Sequence, residues 1–276
     1  MIKSFLMIGQ SNMAGRGFLQ DVPLIINERI QMLRNGRWQM MIEPVNYDRP
    51  VSGVSLAASF ADAWCSKYPQ DTIGLIPCAE GGSSLNDWSV DGGLFQHAIS
   101  EARFAMKHST LTGILWHQGE SDSSDGKYKM YYDKLLVIVK ALRDTLNVPD
   151  IPFIIGGLGD FLGKTGFGQY CVEYDRINNC LQKFAFEQEH CYFVSAQGLT
   201  ANPDGIHMNA LSQRFFGLRY FEAFDKRNHV LIPLSHEAEL LDKLIARTHT
   251  TNELMFVKQM DFALGKLSFD KLINEN

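Results

Sequence analysis

The feature that most constrains this chain is a fivefold alternation of short apolar runs with amphipathic stretches. The runs are KSFLMIG, DTIGLIPC (71–78), LTGILWHQG (111–119), IPFIIGGLG (151–159) and CYFVSA (191–196). Each is rich in Ile, Leu, Val or Phe and nearly continuous, which suits strands of a parallel sheet covered on both faces. Between and after them lie helical patterns at 55–68, 94–108, 127–146, 170–188 and 209–227. The first places Leu56, Phe60, Ala63 and Trp64 on one face, and the third places Tyr131, Leu135, Ile138 and Leu142 in register. Strand and helix in strict alternation predict an α/β fold with right-handed crossovers and helices on both faces of the sheet.

Two regions depart from the alternation. Residues 18–54 form a long insertion after the first strand, and within it Asn35-Gly36 between two short apolar arms signals a hairpin. Beyond the break at Pro233 the chain carries two further amphipathic, helix-like stretches without a motif. The expected organisation is a main domain over 1–228 and a small helical C-terminal extension over 229–276. The extension is expected to serve packing or to join copies into a homo-oligomer.

Composition excludes several functions. The chain has a net charge of -5 and a pI near 5.9, with no run of Lys and Arg, so no nucleic-acid partner is expected. Cys65, Cys78, Cys171, Cys180 and Cys191 are odd in number and show no CxxC spacing, which predicts neither a disulfide framework nor a zinc site. No apolar run reaches the roughly 18 residues of a membrane span, and none reads as a leader. A cytoplasmic protein without a membrane partner is the expectation.

In an open parallel sheet, ligands bind beyond the carboxyl ends of the strands. The first strand delivers Gly9-Gln10-Ser11-Asn12 there, and the second delivers Gly81 and Gly82. The third brings His117, Gln118, Glu120 and Asp122, and Asp204 and His207 follow the fifth. An Asp three residues before a His can orient the imidazole and stabilise its charged form, leaving the other ring nitrogen for a nucleophile. Ser11 is such a nucleophile and needs such a base. Each part also has a plain structural reading: Ser11 and Asp204 as helix caps, the glycines as a flexible loop, Gln118 as a strand-end polar residue. Donors for an oxyanion would be the backbone N–H of Ser11, that of Gly81 or Gly82, and the Gln118 amide. Glu120 reads as a sugar-hydroxyl ligand or an internal hydrogen-bonding group. Arg16 reads as a carboxylate ligand or a brace on the turn's carbonyls. Asn12 and Trp88 complete the candidate substrate contacts, with Phe161 and Phe167 as further stacking candidates.

Taken together the blocks GQSNMAGRG, PCAEGGSSLNDW, WHQGESD and DGIHMN resemble, in order and spacing, the SGNH hydrolases. The similarity is to the branch holding carbohydrate esterase family 6 and the sialate O-acetylesterases, and it covers residues 1 to roughly 225. Gln118 stands where the wider superfamily has Asn. The resemblance implies a three-layer α/β/α sandwich with five parallel strands and no metal or cofactor. It implies Ser11 as nucleophile, His207 as general base and Asp204 as its orienting acid, with the oxyanion hole at Ser11, Gly82 or Gly81, and Gln118. The implied activity is removal of O-acetyl groups from a carbohydrate, a sialic acid or another acetylated saccharide, through an acetyl-enzyme. A thioesterase or lipid esterase on the same triad is one alternative, and a non-catalytic sugar-binding module is another.

Overall fold

In the computed structural model, which describes residues 1–274, seven strands form one sheet in the order β3-β2-β4-β1-β5-β6-β7. They are β1 (Ile2–Gly9), β2 (Ile30–Arg34), β3 (Arg37–Met40), β4 (Thr72–Pro77), β5 (Ser109–His117), β6 (Phe153–Gly156) and β7 (Cys191–Val194). The five strands expected from the apolar runs are all present and parallel. The two extra strands are the arms of the hairpin in the insertion. Asn35 and Gly36 both take positive φ at its turn, as the Asn-Gly pair demands. β2 then pairs parallel to β4, with Ile30 opposite Ile73, and β3 forms the antiparallel edge. The hairpin itself is a local property of the sequence. Its annexation to the sheet is not, because the pairing partner lies some forty residues away.

Helices cover both faces. One layer holds α2 (Leu56–Lys67) and α6 (Ala210–Lys226), whose Leu56, Phe60, Phe216 and Ala223 pack on Phe5, Met7 and Leu75 of the sheet. The other holds α3 (Gly93–Met106), α4 (Tyr131–Leu146) and α5 (Tyr174–Glu187), whose Phe95, Leu135 and Ile177 pack on Leu6, Ile8 and Trp116. Successive residues of β1 therefore feed opposite cores, which is why its run is apolar without alternation. A one-turn helix, α1 (Ser11–Ala14), follows β1 directly. β1 is the central strand, and the chain leaves β4 and β5 on either side of it, so the crevice at the carboxyl edge opens above the end of β1.

The C-terminal segment forms α7 (Glu237–Ile245), α8 (Thr251–Ala263) and α9 (Phe269–Asn274). It is bound to the main body at several points. Val230 bridges β7, with its N–H on Phe193 O at 2.8 Å and its carbonyl on Ser195 N at 2.7 Å. The buried Arg219 of α6 makes a two-pronged pair with Glu237 at 2.8 and 2.7 Å. Leu241 is buried against Ala63 and Leu218. Glu253, also buried, accepts from the N–H of Glu28 at 2.9 Å and from Arg247.

Candidate active site

Gly9 ends β1 with φ +131 and lies so close to β5 that a Cβ there would stand 2.0 Å from His117 O. Glycine is required by that approach. Gln10 N–H then closes on His117 O at 2.8 Å, and the chain turns at once into α1 with Ser11 as its first residue. Ser11 is buried apart from 4 % of its surface, and among the described residues its hydroxyl engages no hydrogen-bond partner. A helix-capping serine would spend its hydroxyl on the backbone N–H groups of the first turn, and this one does not.

Asp204 and His207 sit on the loop after β7. Asp204 Oδ2 lies 2.8 Å from His207 Nδ1, while Asp204 Oδ1 accepts the N–H groups of Ile206 and His207, both at 3.0 Å. The carboxylate can only accept, so Nδ1 carries the proton and Nε2 presents its lone pair. Burial pushes the Asp204 carboxyl up. The backbone and ring N–H groups of His207 and the N–H of Ile206 outweigh it and hold the group below the usual carboxylate range.

The two glycines of the loop after β4 differ. The N–H of Gly81 is committed to Asp48 Oδ2 at 2.8 Å, and a Cβ at Gly81 would meet Arg16 Nη2 at 2.4 Å. Gly82 stands at φ +79 with open space where a Cβ would be, and its N–H has no protein acceptor among the described residues. Of the pair left open by the sequence, Gly82 is the one with a free donor. Its loop rests on the nucleophile turn: Glu80 N–H bonds Gly9 O at 3.1 Å and Ser83 Oγ bonds the same oxygen at 3.3 Å.

The remaining sequence candidates are turned inward, and for Glu120 and Arg16 that is the second of the two readings the sequence left open. Gln118 is fully buried, and its NH2 group is aimed at Asp122 Oδ2 at 2.6 Å, with Gln10 Oε1 and Ser83 O each at 3.2 Å. Its carbonyl oxygen accepts from Tyr131 at 2.8 Å. The amide is a tie between loops, and an oxyanion would have to compete with Asp122 for its hydrogens. Trp88 has no exposed surface and donates its indole N–H to Ser83 Oγ at 3.0 Å, so it supports the glycine loop from beneath and offers no face to a sugar. Arg16 is buried, donates to Gly15 O at 2.8 Å and pairs through both terminal nitrogens with Asp48 at 3.0 and 2.6 Å. It braces the turn, with both terminal nitrogens engaged inside the protein rather than offered to a substrate carboxylate. Asn12 and Glu120 are buried and bonded to each other at 2.5 Å rather than turned outward. The cause is common to all: burial is a tertiary property, and a polar residue beside a strand end reads the same whether it faces the crevice or its floor.

Of two further residues that carry weight here, Asp48 escaped the sequence reading and Gln10 was placed at the edge without a role. Asp48, in the insertion, ties Arg16, Gly81 N–H and Ser52 Oγ together. Gln10 accepts from the N–H groups of Gly119 and Ser121 at 3.1 and 3.3 Å and so holds the loop after β5. Gln10 belongs to the GQSN block, which was a usable signal. Asp48 had none, being distant in sequence and without a motif. Beside Gly82 opens a cavity of about 420 Å³ lined by Arg49, Glu80, Ser83 and Asp87 together with Gly81, Gly82, Gly93 and Leu94. No group of three metal-ligating side chains occurs among the described residues.

The doubly covered sheet brings the loops carrying Ser11, Gly82, Asp204 and His207 to its carboxyl edge, and a family profile matched along the main body shows the chain to be an SGNH-type hydrolase. The chain belongs to the carbohydrate esterase family described as sialic acid-specific acetylesterases, whose profile matches residues 2–226. A probable carbohydrate esterase of Arabidopsis thaliana is 27% identical over 245 residues, covering 80% of this chain and 89% of that protein. An X-ray structure of an Arabidopsis thaliana protein matches with a TM-score of 0.73 at 26% identity, over 81% of this chain and 98% of that one. The crystal structure of NanS shares the fold with a TM-score of 0.65 at 18% identity, over 82% and 97% of the two chains.

Proposed function

We propose that this carbohydrate esterase removes O-acetyl groups from a saccharide through Ser11, His207 and Asp204. The observation that carries the reading is the Asp204–His207 pair at 2.8 Å, on a loop hydrogen-bonded to the residue next to Ser11, whose own hydroxyl has no partner among the described residues. In the first half-reaction His207 Nε2 takes the Ser11 proton as Oγ adds to the ester carbonyl. The N–H groups of Ser11 and Gly82 receive the charge that develops on the carbonyl oxygen. His207 then protonates the departing sugar hydroxyl, leaving an acetyl group on Ser11. Water, deprotonated by His207, adds to that ester, and collapse of the second tetrahedral intermediate returns Ser11 and releases acetate.

The walls beside Gly82 favour a saccharide over a long acyl chain. The charged side chains of Arg49, Glu80 and Asp87 offer donors and acceptors to sugar hydroxyls, whereas a lipid esterase or thioesterase needs an apolar channel there. Family membership and the acetylesterases it describes support the acetyl group as the acyl moiety. The test is acetate release from 4-nitrophenyl acetate and from acetylated sugars by the native chain and by Ser11→Ala. Loss of turnover in a folded variant is expected. Equal turnover in both overturns the reading and brings the binding-module alternative forward.

A further inference from the structure

A nucleophile on α1 and a base on the loop after β7 come from chain segments almost two hundred residues apart, so something must set their separation. Asn12, the neighbour of Ser11, spans the gap. Its Oδ1 accepts the N–H of Met208 at 2.8 Å, and its Nδ2 donates to Ile206 O at 3.1 Å. These two contacts lie on either side of His207. Asn12 Nδ2 also donates to Glu120 Oε1 at 2.5 Å, and the same oxygen lies 3.1 Å from His117 Nε2 at the end of β5. The three side chains are removed from solvent, with Asn12 1 %, Glu120 4 % and His117 0 % exposed.

The chemistry of these partners leaves Asn no substitute. A carboxylate and a carbonyl only accept, and a backbone N–H only donates, so the three partners force one orientation of the amide. Asp would set a second carboxylate against Glu120 and Ile206 O. Leu or Ala would leave the Met208 N–H and the Glu120 carboxylate without the amide. Asn202 also anchors the loop, through its N–H on His207 O at 2.7 Å and its side chain on Arg16 O at 2.8 Å. Among the described residues, only Asn12 grips both neighbours of His207 from the nucleophile's own helix.

We infer that Asn12 is the positioning residue that sets the base His207 against the nucleophile Ser11, and that Glu120, steadied by His117, holds the Asn12 amide in its working orientation. This rests on Ser11 and His207 acting as nucleophile and base. Misplacing a reacting group by about 1 Å costs on the order of 100-fold in rate, which sets the size of the effect. It falls on kcat, because Asn12 is buried beneath the crevice and touches no substrate.

The test compares Asn12→Asp, Glu120→Gln and the double variant on 4-nitrophenyl acetate from pH 5 to 9, with Ser11→Ala alongside. Asn12→Asp is expected to lower kcat about 100-fold at pH 8, with KM within about twofold of native. Its deficit relative to the native protein shrinks toward acid pH, where a proton shared between the two carboxylates restores a donor between them. The double variant swaps amide and carboxylate, so its kcat is expected at least about tenfold above that of Asn12→Asp. Glu120→Gln alone keeps an acceptor but loses the charge, and kcat is expected to fall about tenfold. A native kcat in Asn12→Asp overturns the inference. So does a deficit that is the same at every pH, or a double variant no better than the single one. If Asn12→Asp does not fold, Glu120→Gln decides, and native kcat in it overturns the inference. An active Ser11→Ala brings down the underlying site reading instead, so the two failures are distinguishable.

Discussion

At the scale of single residues, Asp204 shows how one side chain can be both structure and chemistry. One oxygen ties the loop into a turn through the N–H groups of Ile206 and His207, and the other selects the His207 tautomer. Asn at position 204 would keep most of the turn but offer NH2 or a neutral oxygen to Nδ1. We expect Asp204→Asn to fold and to lose on the order of 10³- to 10⁴-fold in kcat, measured on 4-nitrophenyl acetate; a loss under tenfold would show that the carboxylate is only a loop anchor. Gly82 offers a contrasting case. Its Cβ direction is open, so Gly82→Ala meets no clash and pays only for its positive φ, about 1–2 kcal/mol. Gly81→Ala instead drives a methyl into the Arg16–Asp48 pair. Urea unfolding should therefore show Gly81→Ala as the less stable of the two.

At the scale of elements, the C-terminal helices are tied to the main body by buried side chains. Arg219 is buried in α6, and Glu237 is the first residue of α7. Removing one partner of a buried ion pair costs about 3–5 kcal/mol, because the remaining charge stays out of water. Arg219 keeps its bonds to Ser195 O and Gln197 O, so the lower end of that range applies. Glu237→Ala should lower the unfolding free energy by about 3 kcal/mol in denaturant titration. A chain cut before Val230 should be less stable still, since it loses the bridge to β7 as well. A truncated chain as stable as the intact one would show that α7 and α8 are passengers. The hairpin makes the complementary point: a turn with positive φ at Asn35 and Gly36 is written in two residues, but its place beside β4 depends on Ile30, Met32 and Ile73 meeting in one core.

At the scale of the whole molecule, several buried or half-buried carboxyls report on acid stability. Burial raises Asp48, Glu120, Asp204 and Glu253, but Arg16, His117, the His207 loop and the Glu28 and Thr250 N–H groups respectively bring each below its ordinary value. A carboxyl whose folded pKa is depressed contributes stability above its unfolded pKa and loses it as pH falls toward the folded value. Asp62 runs the other way: burial raises it despite the Asn27 amide, so its contribution is lost as pH rises. Asp87 and Asp225 are depressed as well, Asp87 by Ser84 and Asp225, against its burial, by Tyr68 with Lys67. Six groups against one predict a melting temperature that is nearly level near neutrality and falls steeply below about pH 4. Circular dichroism melts across that range check it, and a melting temperature unchanged to pH 3 would refute it.

The amino-acid sequence alone determined the alternation of strands and helices, the parallel core and the order of the four site blocks, because these are properties of short windows: a run of Ile and Leu, a 3.6-residue stripe, a Ser one step past a strand. It also placed Ser11, Asp204 and His207 at one edge of the sheet, since every parallel strand ends there. Only the tertiary structure decided which polar groups at that edge face the crevice and which form its floor. Gln118, Glu120, Asn12, Arg16 and Trp88 all lie in the right blocks, yet all are turned inward: Asn12 and Glu120 onto each other and Arg16 onto Asp48, across distant segments, and Trp88 and Gln118 onto Ser83 and Asp122 a few residues away. A buried polar group must find a mate, and the mate of Arg16 is an Asp in an insertion that carries no motif. Such pairings are set by how the layers stack, not by the order of residues in any one of them.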